Sequence, residues 1–446
     1  MALSGIQIYK MLPQTNCKEC GYATCLAFAM KLAAKQAELD DCPYVTEESK
    51  TQLAESATPP IRLVTLKGKA GEVQAGNEVV LFRHEKTFYN RAGIFIRVVD
   101  TDDDEAIAEK VKAASSYSVD YVGMELSIDG FAIEAASGDK ARMATVVGAV
   151  RASTGLPLIL VGNDPAVLGG GLDKLAGEAP LIVGADEANW EAMADLAVKH
   201  EAALGVQGGS LEELVDLSEK IKEKGVENLV LHPAVDGMSA SLALNTQIRR
   251  LALKNFRPLG YPTIAFAPDS GDPGHDSLVA TQAICKYAGF IVIDRFEPEL
   301  VYPLLVLREN IYTDPQKPIQ VLPAIYEINN PGPSDPVLVT TNFSITYFSV
   351  ANEVEGAGLS AWLLVTDAEG MSVLTAWAAG KFDAESIAKA TKQFGLADKV
   401  DQRSIVLPGH TAILSGELEE ELPDWEIKVG PREAVDLPGY MKQVLT

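Results

Sequence analysis

Basic residues are scarce in this 446-residue chain: 38 Lys and Arg stand against 62 Asp and Glu, a net charge of −24 with a pI near 4.6. Phosphate backbones are gripped by clustered cations, so that deficit argues against nucleic acid and against an anionic membrane surface as partners. Long apolar runs are missing too, none approaching the roughly 20 residues that a spanning helix needs. The opening MALSGIQIYKMLPQTNC has no apolar stretch ending in a small-residue cleavage site. The expectation is a soluble, cytoplasmic protein. Cysteine is rare as well, five residues in all. Apolar residues are not rare: 47% of the chain is apolar at a mean hydropathy of +0.07, enough to build sizeable cores and to exclude general disorder. At about 150 residues per domain, the length suggests roughly three domains.

Four of the five cysteines fall between residues 17 and 42, in the spacing Cys17-x₂-Cys20-x₄-Cys25-x₁₆-Cys42, with Pro43 after the last. Four thiolates suit a tetrahedral metal or the corners of an iron–sulfur cube. Disulfides are disfavoured in a reducing cytosol. Structural zinc usually pairs two short knuckles, whereas Cys42 stands alone across a helical stretch, Leu26 to Leu39. The pattern, with Gly21 after Cys20, favours a [4Fe-4S] cluster. Cys285, among Ile284 and Ala288, reads as a small buried hydrophobe.

The cluster segment, 1–57, ends in the linker-like ESATPP. Over 58–311, short β-branched runs alternate with amphipathic segments. The expected strands are Ile94–Val99, Tyr121–Leu126, Leu158–Val161, Leu181–Val183, Leu204–Val206, Leu229–Leu231, Thr263–Ala267 and Phe290–Ile293. Eight β-α units in this length fit a (β/α)₈ TIM barrel, although an open doubly wound sheet would alternate in the same way. VTLKG and EVVLFRH, ahead of the first strand, suggest a hairpin that plugs or precedes the barrel. Six prolines between Pro315 and Pro336 mark 312–336 as an extended linker. Residues 337–446 alternate again, with strands at WLLVT, SIVLP and EIKV, as a small doubly wound, Rossmann-like domain. The acidic run GELEEELPDWE is expected as a solvated face.

The opening GIQIYKMLPQTNCKECGYATCLAFAMKLA, followed by DCPYV, resembles the large (gamma) subunit of corrinoid iron-sulfur proteins, shared with the acetyl-CoA decarbonylase/synthase complexes. The resemblance extends over the whole chain: a small cluster domain, a barrel and a C-terminal corrinoid-binding domain. It implies that Cys17, Cys20, Cys25 and Cys42 hold a low-potential [4Fe-4S] cluster. It further implies a base-off corrinoid of the cobalamin type touching Thr340, Thr346, the loop Gly370, Met371, Ser372, Val373, Leu374 and Thr375, and Arg432 with Glu433. From the residues alone, those loops show only that glycine-bearing turns follow strands at one sheet edge, where open α/β sheets bind ligands. The corrinoid signature D-x-H-x-x-G is absent, which agrees with a cobalt held without a protein histidine. His410 reads as a loop residue near the ring edge or in solvent.

The family implies a methyl carrier of the reductive acetyl-CoA pathway. Cobalt(I) takes the methyl of methyltetrahydrofolate from a methyltransferase and delivers it to acetyl-CoA synthase, while the cluster rescues oxidised cobalt(II). Implied partners are a small subunit forming a heterodimer, those two enzymes and a reductive activator. The proline-rich stretch would let the corrinoid domain swing between partners. In the barrel, Glu125, Asn163 with Asp164, Asp186 with Glu187, His232 and Asp269–Asp272 follow strands where barrel chemistry sits, although Asp and Asn there also cap helices. Two alternatives remain open: a pterin-dependent barrel methyltransferase with a structural cluster, and an iron–sulfur electron-transfer protein without corrinoid.

Overall fold

The computed structural model describes residues 5–33, 36–46, 49–50, 59–121, 123–267, 270–314 and 320–445. The chain forms two compact units, Met1–Tyr117 with Ser127–Tyr312, and Ser118–Leu126 with Thr313–Thr446.

The first unit opens with two short helices, α1 (Gly5–Met11) and α2 (Cys25–Ala33). Ile8, Leu12, Phe28, Ala29 and Val45 bury against each other together with Cys25 and Cys42. A hairpin follows, β1 (Val64–Lys67) against β2 (Glu72–Ala75), in register Val64 to Ala75. Later strands of the chain begin with β3 (Gly93–Val99), β4 (Val119–Tyr121), β5 (Met124–Leu126) and β6 (Gly130–Glu134). They continue with β7 (Leu158–Val161), β8 (Leu181–Ala185), β9 (Ala203–Gly208), β10 (Leu229–Pro233), β11 (Thr263–Ala267) and β12 (Ala288–Ile293). Strands β3 and β6 to β12 close a parallel barrel in the order β3-β6-β7-β8-β9-β10-β11-β12. Crossover helices cover it: α3 (Asp104–Ser115), α4 (Lys140–Ser153), α5 (Pro165–Leu172), α6 (Trp190–Lys199), α7 (Leu211–Glu223), α8 (Met238–Leu253), α9 (Pro273–Cys285) and α10 (Pro298–Tyr312).

Strands buried on both faces read as continuous apolar runs, which is why LILV, LIVGA and AGFIVI are uninterrupted. Inside the barrel, Phe95 and Phe290 meet edge to face at 6.2 Å, among Ala132, Ile159, Val230 and Ile264. Val64, Leu66, Val73 and Ala75 of the first hairpin complete this core. Lys67 exchanges both backbone hydrogen bonds with Ala179, and Ala70 donates to the carbonyl of Gly155. Ala179 and Gly155 lie just before β8 and β7, so the hairpin plugs the amino-terminal end of the barrel.

Two strand expectations are corrected here. Tyr121–Leu126 is not a barrel strand: Gly123, with φ +83°, breaks the run into the β4–β5 hairpin, which packs with the second unit. The second barrel strand is instead GFAIE, β6, whose short apolar run sits between acidic neighbours. In the plugging hairpin, EVQA at β2 takes the place expected for EVVLFRH. That segment is irregular because Glu78 is buried, accepting from the backbone N–H groups of Tyr89 and Asn90, and Arg83 donates to the carbonyls of Asn310 and Ile311.

The second unit has a five-stranded sheet of β13 (Ala324–Ile328), β14 (Val337–Thr341), β15 (Ala361–Thr366), β16 (Ser404–Leu407) and β17 (Glu426–Val429). Its order is β13-β15-β14-β16-β17, with only β13 antiparallel. Its helices are α11 (Ser344–Gly356), α12 (Val373–Ala378), α13 (Ala384–Gln393), α14 (Ser415–Glu421) and α15 (Leu437–Val444). Successive strand side chains point to opposite faces. Val337, Val339, Leu364 and Ile405 therefore bury against Ile387 of α13 and Leu418 of α14, while Leu338, Leu363 and Val406 bury against Val354 of α11 and Met441 of α15. The acidic run thus has a buried seam, Leu418, Leu422 and Trp425. The expected linker 312–336 is corrected as well: residues 324–328 are edge strand β13, the one place in a sheet that tolerates proline-flanked chain. Its residues 315–319 lie outside the described residues.

Truncating Phe95 to Ala would open a cavity at the centre of the barrel. The expected cost is about 3–5 kcal/mol, read as a lower denaturant midpoint for barrel unfolding.

Candidate functional site

The cysteine loop is wound by left-handed residues: Gln14, Asn16, Lys18 and Gly21 have φ of 58°, 52°, 68° and 82°. Asn16 ties the loop to α2 twice. Its side chain accepts from the Cys25 N–H at 2.8 Å, and its own N–H donates to Cys25 Sγ at 3.3 Å. Tyr44 Oη donates to Glu19 at 2.8 Å, joining the chain after Cys42 to the Cys17–Cys20 turn. The Tyr44 hydroxyl is pushed up in pKa chiefly by Glu19, with smaller contributions from burial and from nearby Cys17 and Cys42. Cys25 and Cys42 are buried, Cys20 is half-buried against the same apolar cluster, and Cys17 is exposed. Among the described residues no three His, Cys, Asp or Glu side chains gather around a single ion. Four thiolates as the only donors are the chemistry of an iron–sulfur cluster, whose ligands spread over the corners of a cube.

The second site is a cavity of about 360 Å³ at the carboxyl ends of β14, β16 and β17. From β14 the chain proceeds to β15 on one side and later to β16 on the other. The crevice between β14 and β16 is therefore a topological switch point, where open α/β sheets take ligands. Of the expected corrin contacts, Thr340, Thr346, Ser372, Val373, Leu374, Arg432 and Glu433 line it. Gly370, Met371 and Thr375 do not. Gly370, φ +73°, donates to Asn342 Oδ1, and a Cβ there would lie 2.6 Å from Gln320. Met371 packs on the hydrophobic core, and Thr375 Oγ1 meets Ser372 Oγ at 3.0 Å.

Thr340 is 1% exposed, and its hydroxyl has no partner. The buried hydroxyls of Thr341 and Ser344 are also unpaired. Buried polar groups are normally satisfied, so a hydroxyl facing a cavity without a partner fits a ligand that brings its own amide or phosphate oxygen. The donors and apolar walls here suit a large, amide-decorated ring.

His410, read from the sequence as a loop residue near the ring edge or in solvent, lines the cavity, its Nε2 3.6 Å from Glu433 Oε1. Sequence reasoning missed one residue of this site. Asn342, 1% exposed, accepts from the N–H groups of Ala368 and Gly370 and donates to Gln320 and Asp367, holding the loop after β15. An Asn directly after an apolar strand was the only signal for it.

Most of the barrel candidates are accounted for by local structure. Glu125 sits on β5, outside the barrel, bonded to Ser118. Asp164 caps α5 through the N–H groups of Ala166 and Val167, and Asp272 caps α9. Asp186 accepts from the Ala188 N–H, while the Asn163 carbonyl accepts from Asn189. Glu187 follows β8 in the same turn, and Asp269 lies outside the described residues. Arg97, unforeseen, bridges Glu134 and Asp294 at the barrel mouth. His232 faces a separate cavity of about 240 Å³ beside Phe266, its Nδ1 sealed from solvent without a partner.

The sequence matches the family described as CO dehydrogenase/acetyl-CoA synthase delta subunit over residues 64–441. The chain belongs to that family. Residues 12–44 separately match a family described as a putative Fe-S cluster. The corrinoid/iron-sulfur protein large subunit of Moorella thermoacetica is 43% identical over 99% of both chains. Gamma subunits of the acetyl-CoA decarbonylase/synthase complexes of Methanopyrus kandleri and Archaeoglobus fulgidus are each 34% identical over 99% of this chain and 98% of theirs. The family expected from the cysteine motif is thus the one found, and the similarity runs through cluster segment, barrel and C-terminal sheet alike. No described helix is long and apolar enough to cross a membrane.

Burial holds the His232 pKa down at about 4. The unfolded chain therefore binds the extra proton between about pH 6.5 and 4, and stability falls as pH drops through that window. His232→Gln should remove about 2–3 kcal/mol of this acid-side slope, measured by denaturant unfolding at pH 4.5 and 7.5.

Proposed function

We propose that this chain is a methyl carrier that holds a base-off corrinoid in the cavity at the β14–β16 switch point and a [4Fe-4S] cluster on Cys17, Cys20, Cys25 and Cys42. The carrying observation is that cavity, with the unpaired Thr340 hydroxyl in its wall. The full-length similarity to a corrinoid/iron-sulfur large subunit supports it. On this reading residues 337–446 are the corrinoid-binding domain, 58–311 the barrel domain and 1–57 the cluster domain.

When bound, the corrinoid supplies a cobalt nucleophile that carries the methyl group, and the cluster supplies the electron that rescues oxidised cobalt. The chain's own residues orient and exclude. Thr340 and Thr346 offer hydroxyls to the ring's amides, and Ser372, Val373 and Leu374 form one wall. Arg432 and Glu433 border the opposite loop, where Glu433 Oε1 lies 3.6 Å from His410 Nε2. Asn342 keeps the loop after β15 in place without touching the ligand. The partners implied are a small subunit, a methyltetrahydrofolate methyltransferase, acetyl-CoA synthase and a reductive activator, all in the cytoplasm. Asp164 is engaged in helix capping and Asp186 in the turn after β8, which weakens the reading of the barrel as a pterin enzyme.

Metal analysis tests this directly. Protein purified from corrinoid-sufficient cells should carry about one cobalt and four irons per chain, as one corrinoid and one cluster require. Iron without cobalt would sink the proposal in favour of simple electron transfer. Cys20→Ala should leave corrinoid binding and methyl transfer from pre-reduced protein intact while abolishing reductive reactivation. Thr340→Val, nearly isosteric, should weaken corrinoid binding about 5–10-fold by removing one hydrogen bond, read in the visible spectrum during titration.

A further inference from the structure

The β4–β5 hairpin belongs by its packing to the second unit, although its chain neighbours Tyr117 and Ser127 belong to the first. It is a built element. Val119 pairs with Leu126, Ser118 Oγ donates to Glu125 at 2.7 Å, and Asp120 accepts from the Gly123 N–H at 3.3 Å. Its turn is pressed against the chain that leads into β13. A side chain at Gly123 would lie 2.6 Å from Tyr326 Oη and 3.2 Å from Leu322 Cβ. Behind that contact, Tyr326 donates to the Leu322 carbonyl at 2.8 Å and its ring sits 4.8 Å from Tyr347. Burial raises the pKa of both tyrosines, and the charge of Asp120 raises each further, which places the hairpin's acidic residue beside the pair.

We propose that the hairpin is a tether, the resident occupant of the face formed by Leu322, Tyr326 and Tyr347. The second unit is then joined to the first at three peptide connections, 117–118, 126–127 and 312–313, instead of one. While the hairpin is seated, the unit cannot swing freely on the proline-rich segment; unseating it leaves a single covalent hinge. Gly123 makes this possible, because its left-handed φ turns the chain and its missing side chain permits the close approach to Tyr326. The tether is read from packing alone. Only its use, limiting the excursion of a methyl-carrying unit, rests on the carrier proposal.

Hydrogen exchange of the full-length protein, read by mass spectrometry beside small-angle scattering, tests it. Gly123→Trp wedges the turn away from Tyr326, and Tyr326→Ala removes the seat from the other side. In wild type the amides of residues 119–121 and 124–126 should be protected. Both variants should accelerate their exchange by about tenfold or more and increase the radius of gyration, while the amides of β8 keep wild-type protection. Hairpin amides exchanging freely in wild type would overturn the tether. So would variants that exchange and scatter like wild type. The measurement needs no cofactor, so a failed carrier assignment and a failed tether give different results.

Discussion

Parallel strands can be joined only by crossovers, and the crossovers cover both faces of the sheet they connect. That constraint shapes both units. In the barrel it drives Phe95, Phe290 and their neighbours into a sealed interior. In the second unit it splits alternate residues of β14, β15 and β16 between two helix-covered cores. What it leaves open is the carboxyl edge, where the loops emerge. The cavity beside Thr340 lies there, where the chain reverses its direction of travel along the sheet.

The two candidate sites solve opposite problems. The loop after β15 is held by Asn342, which meets four partners, and the Thr340 hydroxyl in the cavity wall is left unpaired. The cysteine loop is wound by left-handed residues and tied to α2 through Asn16. A preformed pocket suits a rigid ring, and a loop of thiolates suits a charged cluster. The buried pairs elsewhere serve the scaffold. Arg308 with Asp129, Arg151 with Glu178, and Arg249 with Glu78 each neutralise charges that would be costly alone in the interior.

Much of this was legible residue by residue. The cysteine spacing is a local signal, and the uninterrupted runs at β7, β8 and β12 announce strands buried on both faces. Seven of the ten corrin contacts implied by the resemblance line the cavity, five of them in loops or a helix start after strands that the sequence shows, while Thr340 and Thr346 belong to a strand and helix that it did not. The errors share one cause. Tyr121–Leu126 and GFAIE are both short and flanked by turns, and period alone cannot say which of two such runs joins a ladder. The same holds for Ala324–Ile328, which prolines on either side disguise as linker.

By itself the sequence determined the elements whose evidence is local: the cysteine spacing, the strand and helix periods, and a family whose similarity spans the chain. Only the tertiary structure decided matters that depend on distant neighbours. It put Asn342 behind the loop after β15 and His410 across from Glu433. It assigned Asp164 to capping and Asp186 to a turn, and it carried the β4–β5 hairpin out of the barrel to the face at Tyr326. The physical reason is that a polar side chain's role is set by the partners burial brings to it, and those partners come from elsewhere in the chain.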